Sequence, residues 1–114
     1  MTRFFVALCM TFSSLFANEA VVEAVKVTKQ EQTYRFDVRI LHEDSGWDHY
    51  VNKYEMLDPK GKVLATRTLW HPHEHEQPFT RSLSEVKLEG ERVVFVRAND
   101  SVDGHSKLFK VKLP

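Results

Sequence analysis

Between residues 34 and 40 the chain sets Tyr34, Phe36, Val38 and Ile40 in alternation with Arg35, Asp37 and Arg39. Successive side chains fall on opposite sides only in a strand, so this segment has one face for an apolar core and one for water. The same period of two, with β-branched and aromatic residues, recurs over residues 21–28, 47–56, 63–69, 79–86, 92–98 and 109–113. Turn-forming clusters separate these runs: Glu43-Asp44-Ser45-Gly46, Asp58-Pro59-Lys60-Gly61 and Glu89-Gly90-Glu91. Seven short strands with turns between them predict an all-β fold, a seven-stranded antiparallel sandwich of immunoglobulin or fibronectin type III style. A small closed barrel is the alternative architecture.

The alternation starts only after a different kind of segment. Arg3, the apolar run Phe4-Phe5-Val6-Ala7-Leu8-Cys9-Met10 and the small-residue exit Ser13-Ser14-Leu15-Phe16-Ala17 have the order of a secretory signal peptide. Cleavage after Ala17 makes residues 1–17 the signal and residues 18–114 a single β-sandwich domain, periplasmic or secreted in a bacterium. No later apolar run is long enough to span a bilayer, so no membrane insertion is expected after cleavage. Bulky Leu8 in front of Cys9 argues against a lipid anchor there. Because Cys9 is the sole cysteine, the mature chain is expected to lack disulfides, thiolate metal sites and cysteine nucleophiles. Sixteen basic residues balance sixteen acidic ones, which excludes the basic excess of a nucleic-acid binder.

Histidine is the unusual count. His71, His73 and His75 fall at alternate positions between Pro72 and Pro78, and prolines push the residues before them towards extended backbone. An extended segment would set the three imidazoles on one side and Glu74 and Glu76 on the other. In an up-and-down sandwich, loops 41–47, 70–79 and 99–106 share one end, and all six histidines lie in or beside them. The opposite turns carry none. The expected site is therefore a metal centre at the three-loop end, with His71 and His73 as ligands, joined by His49, His105 and Asp103. Imidazole and carboxylate without thiolate favour a copper or zinc ion, and Asp48 and Glu76 are further carboxylates within range of the loops. The partner of such a domain is the metal ion itself.

A second reading uses the same end without metal, as a protein-interaction module whose Trp47, Trp70 and Phe79 dock another exported protein. Trp47 and Tyr50 otherwise read as core or rim residues. Catalysis has little support, since there is no G-x-S-x-G elbow, no H-E-x-x-H helix and no glycine-rich phosphate loop. The expectation is a binding protein and not an enzyme, with metal-assisted hydrolysis the one catalytic reading left open.

Three pieces of the chain carry a resemblance: Gly46-Trp47-Asp48-His49-Tyr50; His71-Pro72-His73 followed by Glu76-Gln77-Pro78-Phe79-Thr80-Arg81-Ser82-Leu83; and Asp100-Ser101-Val102. Together they resemble a group of small exported bacterial proteins of uncharacterised function, over most of the mature chain. The group often has a histidine where this chain has Asp103, while His105 stands two residues on. The resemblance implies a bacterial exported β-domain and no reaction.

Overall fold

The computed structural model describes residues 19–114, so the signal peptide expected over residues 1–17 lies outside the described residues. Eight strands follow in order: β1 (Val21–Gln30), β2 (Thr33–Leu41), β3 (Val51–Leu57), β4 (Val63–Thr68), β5 (Phe79–Val86), β6 (Val93–Asp100), β7 (Gly104–His105) and β8 (Phe109–Lys112). They form two antiparallel sheets, β1-β2-β5 and β4-β3-β6, with β7 and β8 both pairing β6. This is the expected all-β antiparallel sandwich, with eight strands in place of seven. The added strand is the two-residue β7, which pairs Asn99 with His105 and Asp100 with Gly104. Gly104, at φ 84°, lets the chain fold back so soon after β6.

The alternation in β2 puts Phe36, Val38 and Ile40 fully inside, in one core with Val94, Val96 and Ala98 of β6; Tyr54 and Met56 stand beside the β6 row on β3, and Phe79 beside Ile40 on β5. Each such large side chain stabilises the fold by about 1.5–3 kcal/mol relative to an exposed one. β3 hides both parities: register slips between Val51 and Lys53 and between Met56 and Leu57 exchange its inward face, so Val51 and Leu57 are buried too. It also begins at Val51 and not at Trp47. The residues in front of it form a tight loop in which Ser45 N–H donates to His49 O (3.0 Å) and His49 N–H donates to Gly46 O (3.2 Å).

Register then decides which loops meet. Ile40 pairs with Phe79 where β2 ends and β5 begins, and Val51 pairs with Asp100 where β3 begins and β6 ends. The β2–β3 loop, the β4–β5 connection and the β6–β7 turn therefore gather at one end of the sandwich. Leu57 pairs with Phe95, which sends the turn after β3 to the opposite end.

Candidate metal centre

The inward faces of β2 and β6 continue past their last apolar residues. After Phe36, Val38 and Ile40 comes His42, and after Val94, Val96 and Ala98 comes Asp100; the two are 3% and 2% exposed. Polar groups that close a core must find partners there. His42 Nε2 lies 2.7 Å from Asp100 Oδ2, and His42 Nδ1 lies 2.6 Å from Asp44 Oδ1. His49 brings a second imidazole, its Nε2 2.9 Å from both Asp100 oxygens and 3.4 Å from Asp103 Oδ2. The side chains of His42, His49 and Asp100 thus converge as a group that can hold a metal ion, each offering one ligand atom within 4.8 Å of the others.

The surroundings fix this arrangement. Asp44 is buried, and besides His42 it accepts the backbone N–H groups of Val51 (3.2 Å) and His73 (2.7 Å). Holding Nδ1 of His42 in this way turns Nε2 towards Asp100, the carboxylate–histidine relation that orients metal-binding imidazoles. Gln77 ties the loops together by accepting the His42 N–H and donating to His73 O, both at 2.9 Å. Burial pushes the Asp100 carboxyl up, but the Val102 N–H and the His49 ring outweigh it and hold the group below the ordinary carboxylate range. Asp100 in turn raises His49 above the ordinary imidazole value. His42 stands between two carboxylates, Asp44 at Nδ1 and Asp100 at Nε2. Ligand atoms on a tetrahedral ion with bonds of about 2.0–2.2 Å stand ~3.4 Å apart. The present contacts are hydrogen-bond distances, and loading requires them to open by about 0.5 Å.

Of the residues expected at the site, His49 and Asp103 lie in or beside this group. His71 and His73 do not: their rings stand 4.8 Å apart beyond Asp44, with His73 Nδ1 3.8 Å from Asp44 Oδ2. His105 is exposed on β7. The expected row of three imidazoles is broken by a turn at Glu74 and His75, which leaves His71 and His75 exposed and His73 buried, stacked on Phe79 at 4.0 Å. Burial, then the charges of Arg81 and His71, lower the His73 imidazole. His42, Asp44 and Asp100 were not among the expected ligands, although the strand parity that fixed Ile40 and Ala98 extends to His42 and Asp100. Of the core-or-rim readings Trp47 takes the rim, 67% exposed and edge-on to Tyr50, whereas Phe79 is not a docking residue but fully buried.

No family model matches the chain. It is 33% identical over 94 residues to a protein of Halomicrobium mukohataei named "Putative lipoprotein", with 82% of this chain and 46% of that protein covered. The chain thus spans about half the length of the curated relative it matches. Among solved structures, the superoxide reductase (1Fe-SOR) from Giardia intestinalis is similar at 12% identity and a TM-score of 0.49, over 81% of this chain and 98% of that one. That likeness is too loose to bear on function.

Proposed function

We propose that this is an exported binding domain for a divalent transition metal, held by His42, His49 and Asp100, with Asp103 as the fourth donor. The observation that carries the reading is the convergence of two imidazole Nε2 atoms on one buried carboxylate, while a second carboxylate orients His42 from behind. Two nitrogens and one or two carboxylate oxygens suit zinc or copper(II), and their pairing without thiolate matches a cysteine-free mature chain. The role is storage, delivery or sensing of the ion and not catalysis. Export is supported by the signal-like residues 1–17 and by the name of the Halomicrobium mukohataei protein, and the location we propose is periplasmic or secreted.

Elemental analysis of the protein purified without a histidine tag, with titrations of zinc, copper(II) and iron(II), tests this. Near-stoichiometric binding lost in His42→Ala/His49→Ala and kept in His71→Ala/His73→Ala is the expected result. Loss in the second variant alone moves the ligands to His71 and His73. Equal weak binding in all three proteins sinks the metal reading.

One observation favours the metal-free alternative. Trp47 and Trp70, 67% and 75% exposed, flank an open groove of about 470 Å³ shared with Tyr50, Asn52 and Asn99. Exposed aromatics at one groove suit a docked protein. Partner binding that survives chelation and is lost in Trp47→Ala/Trp70→Ala would support it.

A further inference from the structure

Three buried side-chain nitrogens among the described residues have no hydrogen-bond partner: Arg67 Nε, His73 Nδ1 and His73 Nε2. Both residues line one cavity of about 70 Å³, together with His71 and Arg81. It lies at the side of the sandwich, where β4 carries Arg67 and β5 carries Arg81, each on the outer strand of its own sheet. The β4–β5 connection, with His71 and His73, covers it. Buried polar atoms are nearly always paired, so three orphans at one cavity call for an occupant.

Charge decides what kind. Two guanidinium groups and two imidazoles meet there. Arg81 is engaged by Glu76, whose Oε1 stands 3.0 Å from Nη2 with the Glu76 side chain 57% exposed. Arg67 has no carboxylate within 4.0 Å among the described residues, and its Nη1 donates only to Thr68 O at 3.3 Å. Asp44, with Oδ2 3.8 Å from His73 Nδ1, is already taken by His42 and two backbone N–H groups, and Glu55 on the neighbouring strand is paired with Arg97. Burial is the main cause of the lowered basicity of His73, and the charges of Arg81 and His71 add to it against Asp44 and Glu76. The positive field here repels a divalent cation and attracts an anion. The volume suits about two waters at ~30 Å³ each or one tetrahedral oxyanion, and planar guanidinium groups match oxyanion edges well.

We infer that the cavity beneath the β4–β5 connection, lined by Arg67, His71, His73 and Arg81, binds a small oxyanion of phosphate or sulfate size. Arg67 and His73 donate to it, and Arg81 sets the charge at its mouth. The site is separate from the His42–His49–Asp100 group and does not depend on a metal there.

The test is an NMR titration of the full, metal-free protein in EDTA with inorganic phosphate and with sulfate, following the ring nitrogens of His73 at constant ionic strength set with chloride. Saturable shifts at His73 are expected, with thermal stabilisation by the same anions. Arg67→Gln should weaken binding at least about tenfold, whereas Arg92→Gln, exposed at the other end, should not change it. Methyl phosphate run beside inorganic phosphate distinguishes a phosphate carried on a larger molecule from the free ion. The inference is overturned if His73 shows no saturation by about 10 mM, or if a correctly folded Arg67→Gln binds as wild type. The wild-type titration stands without any variant, and a native-like amide spectrum and urea midpoint in Arg67→Gln separate loss of this site from loss of the fold.

Discussion

Asp44→Asn is the most informative single substitution, because it keeps shape and volume and removes only charge and one acceptor. Asp44 Oδ1 faces His42 Nδ1 (2.6 Å) and Val51 N (3.2 Å), and Oδ2 faces His73 N (2.7 Å). An asparagine has one acceptor oxygen and one NH2. If its oxygen faces Val51 and His42, its NH2 meets the His73 N–H; if it is flipped, its NH2 meets the Val51 N–H. Either way a buried backbone donor is stranded, at a cost of about 1–3 kcal/mol, and charge-assisted bonds worth about 1.5–3 kcal/mol are lost. The sum is roughly 2.5–6 kcal/mol, a large part of the ~5–15 kcal/mol that holds a domain of this size together. Urea unfolding should show a lower midpoint at unchanged slope, and thermal unfolding a drop of more than about 12 °C. Metal affinity should fall about 10–100-fold, as it does when the carboxylate behind a metal-bound histidine is lost. Asp48→Asn, at an exposed residue of the same loop, should stay within ~0.5 kcal/mol of wild type. A destabilisation of Asp44→Asn below about 1 kcal/mol would refute the reasoning, since the three contacts could not then be what organises the loop end.

Other outcomes can be checked alongside it. Phe79→Ala, which empties a fully buried position and unstacks His73, should cost about 3–5 kcal/mol in chemical denaturation. Metal affinity should decline as pH is lowered towards and below 6.5, since Asp100 raises the proton affinity of His49 and the proton competes with the ion; calorimetric titration across pH measures this. Asp37 is held below its ordinary value first by the Ser82 hydroxyl and then, against burial, by Arg35. A depressed carboxylate contributes stability that is present above the unfolded value of about 3.9 and lost as pH falls through the lower folded one. Ser82→Ala should therefore flatten the acid limb of the stability profile and leave its shape near pH 9 unchanged. Gly46→Ala should destabilise by about 1–2 kcal/mol, because Gly46 sits at φ 122° and an added Cβ would stand 3.3 Å from Glu74 Oε2.

The strands were legible because Phe36-Val38-Ile40 and Val94-Val96-Ala98 obey a period that only a strand satisfies. The gathering of histidine-bearing loops at one end followed from strand order alone. What the sequence hid was tertiary. A cluster of histidines between two prolines drew attention to His71 and His73, yet these two lie beyond Asp44, away from the His42–His49–Asp100 group, and the turn at Glu74 and His75 takes His75 out of their row. Nothing local marks His42 and Asp100, 58 residues apart, as neighbours. Their signal was parity: each takes the next inward position on a strand already assigned, and a charged or polar residue in an inward place needs a reason to be there. β7 escaped because two residues hold no period, and the start of β3 was misplaced because Trp47 looks like a strand residue while Gly46 and His49 close a loop around it.

Asp44 touches both candidate sites, orienting His42 with one oxygen and anchoring the backbone of His73 with the other. A single rigid carboxylate shared in this way makes the two ends of one side chain a fulcrum. If the carboxylate moves when the His42 ring is drawn towards an ion, the backbone of His73 that it holds moves with it. Linkage then requires the effect to be mutual: if phosphate changes the affinity for zinc by some factor, zinc changes the affinity for phosphate by the same factor. Cation and anion would be counted together by one loop end, and the domain would respond to their joint presence in its compartment.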